Sequence, residues 1–213
     1  MSIKKRTPKV HVKKSGFGGV VDYFEEQHKK IRTDKKKQFV FFVLGFVLSY
    51  LILTIAVSVI PDIYYKEAVG GIVRGVLGAQ GINTTQVGSV ECMEFSWLSD
   101  TTIGQCYSFT VESKNIVISW LCTGILEIII LISAIIASFG VKWKEKVVGI
   151  IAAIILGVIF NILRIWVTIN LLFSQNVATV EIAHDALFRI ILFVYIAVVY
   201  IIWFYWAANK NER

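Results

Sequence analysis

Four long apolar runs divide the chain: approximately Phe39–Ile60, Ile116–Phe139, Val147–Phe173 and Ala186–Ala207. A hydrocarbon core about 30 Å thick needs ~20 helical residues to cross it, and each run reaches that length. None alternates apolar and polar residues with the period of two that marks a half-buried strand. The pattern therefore predicts an all-α protein, a polytopic helical membrane bundle with about four clear transmembrane helices. Composition agrees, since 56% of the 213 residues are hydrophobic, mean hydropathy is +0.68 and there are only 2 prolines. A soluble domain carries roughly 45–50% apolar residues.

The polar stretches between the runs set the organisation. Residues 1–37 form a basic N-terminal arm, with 12 Lys or Arg against four acids. Residues 38–207 form the membrane domain, with an external segment at 61–115 and a core at 116–206, and residues 208–213 are a short tail. The arm does not read as a cleavable signal, whose apolar stretch follows a short basic region at once. No nucleic-acid recognition motif accompanies its lysines, so anionic lipid head groups are the expected contact and nucleic acid is not.

Charge also predicts orientation. Lys and Arg accumulate in short cytoplasmic segments of membrane proteins. The arm is basic, the link Gly140–Lys146 has three lysines, and the C-terminus has Lys210 and Arg213. The stretch 174–185 has no Lys or Arg and two acids, and 61–115 has three basic residues against six acids. Both termini are thus expected in the cytoplasm of a multi-pass cell-membrane protein, with 61–115 and 174–185 outside. In the external segment, the glycine-rich stretch Glu67–Gly78 is weakly amphipathic and suited to an interfacial or re-entrant helix. Cys92 and Cys106 share this oxidising side, where a disulfide is a candidate.

Three polar residues interrupt the apolar second half: Cys122, Arg164 and His184. An intramembrane arginine is costly and marks a functional site by default. Counting ~1.5 Å per helical residue from the outer ends of spans two and three puts Cys122 roughly 9 Å and Arg164 roughly 13 Å down. His184 falls at the outer interface, so all three are expected in one outer-leaflet layer. A cysteine in lipid is an inert small hydrophobe unless a base or cation stabilises its thiolate. Arg164 can supply the permanent charge, for the thiolate or for an oxyanion, and His184 can accept and return the proton. Glu181, about one helical turn away, or the adjacent Asp185 is expected to orient the imidazole. Glu127, at a depth similar to that of Arg164, can neutralise the guanidinium. No metal-ligand spacing or phosphate-cradling loop is present, and no cofactor is expected.

Cys122-Thr123-Gly124, then Asn161-Ile162-Leu163-Arg164-Ile165, then His184-Asp185 resemble the signature of the exosortase/archaeosortase family, in the same order and at intervals of 42 and 20 residues. The resemblance covers about residues 116–206. It implies a membrane transpeptidase or protease in which Cys122 is the nucleophile, Arg164 the thiolate or oxyanion stabiliser and His184 the general acid and base, with Asn161 in support. The implied substrates are exported proteins ending in a short motif, a transmembrane helix and a basic tail. A lipid or glycan amine, or another acceptor, would receive the product. Two departures stand out. Many members carry more spans, and the third position varies between histidine and arginine, which makes Arg189 a rival to His184. The alternative is a non-enzymatic transporter or assembly subunit in which Arg164, Glu127 and His184 form a polar relay or a packing contact.

Overall fold

The computed structural model describes residues 35–94, 102–174 and 188–211. The chain divides into two units at Phe42, and the second, Val43–Arg213, contains every feature discussed below except the first two turns of the first helix. Three helices are long and apolar enough to cross a membrane. These are α1 (Lys35–Ser58), α4 (Trp143–Ser174) and α5 (Phe188–Asn211). They correspond to the first, third and fourth apolar runs. The other two helices are α2 (Asp62–Ala79) and α3 (Ile125–Ala137).

The second apolar run corrects two expectations. Residues 61–118 hold a three-stranded antiparallel sheet in the order β1 (Thr84–Glu94), β2 (Thr102–Val111) and β3 (Lys114–Ile118), so the fold is mostly helical rather than all-α. The run 116–139 is accordingly not one helix. Its β-branched start, Ile116-Val117-Ile118, completes β3, and α3 begins only at Ile125. Thirteen helical residues rise ~20 Å, short of the ~30 Å of a hydrocarbon core. A fourth clear span is therefore absent from the described residues.

The hairpin has a local cause. Glu112 and Ser113 both hold positive φ, at 45° and 76°, and form the two-residue turn between β2 and β3. Such a turn matches the right-handed twist of the flanking strands. On the other side of β2, Val90 opposes Cys106, and Cys92 is bonded to Cys106 across the ladder with Cα atoms 5.8 Å apart. The candidate disulfide is present, and it joins diagonal neighbours on one face of the sheet.

Helix α2 covers this sheet. Its buried residues are Lys66, Gly70, Val73 and Leu77, spaced at four, three and four positions, so they form a single stripe. Gly70 is required there, because a Cβ at that position would collide with the ring of Tyr107. The amphipathic face expected to meet the membrane surface thus meets β2 instead. Lys66, fully buried, donates to the carbonyl of Gln105 at 2.6 Å and to Asp62 one turn earlier at 2.5 Å. A buried ammonium needs such partners.

Two apolar cores result. One joins Val73 and Leu77 of α2, Tyr107, Phe109 and Val111 of β2, Ile118 of β3, and Ile165 and Ile169 of α4. The other joins Leu131 and Ile135 of α3, Ala153 of α4, and Trp203 and Ala207 of α5. Helix α4 takes part in both, because its 32 residues rise ~48 Å, well beyond one hydrocarbon thickness. Its far end is pinned to the sheet layer: Trp166 Nε1 donates to Gln80 Oε1 at 2.8 Å, and Lys114 Nζ donates to the Leu172 carbonyl at 2.8 Å. Lys114 thereby satisfies a last-turn carbonyl that the helix cannot pair itself.

Candidate functional site

Cys122 sits where the sheet hands the chain over to the bundle. Trp120–Cys122 is a single 3₁₀ turn between β3 and α3. The Cys122 and Thr123 amides bond back to the carbonyls of Ser119 and Trp120, both at 3.0 Å. The Thr123 hydroxyl donates to Trp120 O at 2.7 Å and accepts from the Ile125 amide at 3.4 Å, closing the turn from both sides. The cysteine is therefore on a rigid connector, not inside a transmembrane helix. The depth of roughly 9 Å, which assumed helical rise from residue 116, does not hold.

Gly124 is what permits this connector. It holds φ +74° and ψ 6°, a left-handed conformation that costs other residues about 1 kcal/mol or more. It also lies against α4, where a Cβ would stand 2.7 Å from Asn161 Cγ. That closeness lets the buried Asn161 amide donate to the Cys122 carbonyl at 2.9 Å. Three motif residues, Cys122, Gly124 and Asn161, are thus one packed unit.

Arg164, one turn further along α4, reaches the same connector. Its Nη2 donates to the Leu121 carbonyl at 3.0 Å, immediately before the cysteine. Its Nη1 lies 3.6 Å from Glu127 Oε1, and the two side chains keep only 12% and 16% of their surface exposed. The expected neutralisation of Arg164 by Glu127 is present. A mostly buried guanidinium has thereby gained both a counter-charge and a carbonyl acceptor, as its desolvation demands.

Cys122 is a free thiol of intermediate burial. Its Sγ lies 3.4 Å from Ser119 Oγ, a contact in which either atom can donate. Together with Arg164, it lines a cavity of about 120 Å³ bounded by Ile116, Ile118, Ile169 and Leu172. The sequence reading missed Ser119. The available signal was its spacing, since residues three apart eclipse one another on a 3₁₀ turn.

The structure thus brings together Cys122, Arg164, Asn161 and Glu127. His184 and Asp185 lie outside the described residues, and Arg189, in the first turn of α5, has a side chain outside them as well. Among the described residues, no group of three His, Cys, Asp or Glu side chains could hold a metal ion. Comparison with protein-family models, curated proteins and solved structures finds no match to this chain.

Chemically, the site offers one thiol, one fixed cation and an apolar recess open to both. The amides of Cys122 and Thr123 are committed to their own turn, so they are not free to stabilise a developing oxyanion. Among the described donors, Arg164 carries five N–H groups and uses few of them, which leaves a guanidinium edge for a negative charge beside the thiol.

Proposed function

We propose that this chain is a membrane-embedded cysteine transpeptidase or protease of the exosortase/archaeosortase type, cleaving C-terminal sorting tails of exported proteins. One observation carries the reading. The only cation at the free thiol, among the described residues, is an arginine anchored to the carbonyl next to that thiol, and the two share one cavity. A structural arginine needs a counter-charge, but it has no need of a nucleophile in its recess.

In this reading His184 takes the proton of Cys122 Sγ, and the thiolate attacks a peptide carbonyl near the tail motif. A carbon–sulfur bond forms, and Arg164 holds the oxyanion. Collapse of that intermediate breaks the carbon–nitrogen bond, and the departing amine receives the proton from His184. Water, or an amine on a lipid or glycan acceptor, then attacks the thioester, loses its proton to His184 and restores the thiol. The disulfide on the sheet favours an oxidising location for that end of the molecule, which supports cytoplasmic termini and an outward-facing site.

The test is processing of an exported reporter that ends in a motif, an apolar helix and a basic cluster. Cys122→Ala should abolish processing at unchanged membrane abundance, and Arg164→Lys should retain under about a tenth, because a point charge does not reproduce the guanidinium fork. Normal processing by Cys122→Ala refutes the mechanism.

The Arg164–Glu127 pair favours a second reading, a non-enzymatic membrane subunit in which this pair is a bundle contact or relay. That reading expects Cys122 to be dispensable and an Arg164→Glu, Glu127→Arg exchange to restore what either single change removes.

A further inference from the structure

Among the described residues the sheet ends at β3, with no further strand paired to its far side. Val111 and Lys114 flank the two-residue turn, and antiparallel pairing alternates from there. Lys114, Ile116 and Ile118 therefore bond inward to β2, while the main-chain groups of Asn115 and Val117 point to the open side. An open edge presents unpaired donors and acceptors, a template for another strand. These groups are costly to leave dry near a membrane.

This edge is not an ordinary surface. Ile116, Val117 and Ile118 form one wall of the cavity that contains Cys122 and Arg164, and Ile165, Ile169 and Leu172 of α4 form the other. The cavity's ~120 Å³ is comparable to an engineered apolar cavity of ~150 Å³ that accepts benzene, so it has room for one aliphatic side chain. The strand also leads directly into the nucleophile, five positions beyond Val117.

We infer that the open edge of β3 binds the substrate as a fourth, extended strand, paired to the main chain of Asn115 and Val117, with an apolar side chain seated between β3 and α4. The inference rests on the transpeptidase reading and specifies how its peptide is held. Main-chain pairing supplies register and the recess supplies selectivity, as in other strand-addition complexes. At ~3.3 Å per residue, a carbonyl two or three residues from the one paired with Val117 comes level with the Cys122 turn.

The experiment uses the full-length chain and a library of exported reporters, with six randomised residues ahead of a leucine-rich helix and a basic cluster. Val117→Pro removes the outward N–H, fixes φ near the extended range and exchanges the side chain for a ring, a change that an edge strand tolerates. Val117→Thr keeps that N–H and the side-chain shape. Formation of the Cys92–Cys106 disulfide and membrane abundance report the fold of each variant. Val117→Pro should process under a tenth of what the parent does with the disulfide intact, and Val117→Thr at least half. Processed tails should be enriched in Val, Ile or Leu at one fixed position. Processing that requires Cys122 but is unaffected by Val117→Pro would overturn edge binding and leave the transpeptidase reading standing. Equal loss in Val117→Thr would also overturn it, by assigning the effect to the side chain. If the parent processes no member of the library, or if Cys122→Ala processes as well as the parent, the reading and the inference fall together.

Discussion

Gly124→Ala should damage this protein more than one added methyl suggests, because two independent constraints meet at that residue. The first is conformational. Gly124 holds φ +74°, and an L-residue there costs about 1–2 kcal/mol. The second is steric. The new Cβ would stand 2.7, 2.9 and 3.0 Å from Asn161 Cγ, Cβ and Oδ1, so the amide has to move. Movement forfeits the 2.9 Å bond to the Cys122 carbonyl, and leaving a buried polar group unpaired costs about 1–3 kcal/mol. Together the two effects predict a loss of about 2–5 kcal/mol. For a chain of this size that corresponds to a drop of roughly 4–20 °C in melting temperature. The assay is thermal unfolding of purified protein in detergent, alongside the rate at which maleimide modifies Cys122. The rate should change several-fold, because the connector carrying the thiol shifts. In Gly124→Ala/Asn161→Ala the contacts to Cγ and Oδ1 disappear, so the combined loss should be smaller than the sum of the single losses. Melting within about 2 °C of the parent, with unchanged thiol reactivity, would refute this account of the Cys-Thr-Gly turn.

Other outcomes follow from the same geometry. Replacing Cys92 and Cys106 together by Ser should destabilise by up to about 3 kcal/mol, the chain-entropy figure for a loop of this length, and should remove the sensitivity of the melting temperature to reductant. Glu127→Ala should cost about 2–3 kcal/mol, at or below the low end for broken buried pairs because both partners keep some exposure. An Arg164→Met, Glu127→Ala double variant should recover part of that stability, and under the proposed transpeptidase reading it should not process tails.

Much of the bundle was legible in the sequence, because apolar runs near twenty residues leave helices little alternative in lipid. Helices α1, α4 and α5 fall where the first, third and fourth runs lie. Arg164 and Glu127 were legible as partners because two charges buried in an apolar environment must find each other. The sheet was not legible. The run 116–139 is predominantly apolar, and hydropathy does not separate a buried strand followed by a short helix from one long helix. What distinguishes them is a two-residue turn whose members, Glu112 and Ser113, are unusual at positive φ, so local propensity argued against it. Asn161 was visible only as part of a motif. Its contact with the Cys122 carbonyl requires α4 to lie within reach of Gly124.

The sequence by itself determined that this is a chain for a membrane, and it singled out Cys122 and Arg164 as residues whose cost in lipid needs a reason. The reason is that hydrophobic transfer energies and charge desolvation act residue by residue and need no knowledge of neighbours. Only the tertiary structure decided that the cysteine rides on a rigid turn between sheet and bundle, with an arginine bonded to the carbonyl before it and, among the described residues, the last strand of the sheet leading to it. Those features depend on long-range packing of β2 and β3 under α2 and against α4, and spacing along the chain does not encode it.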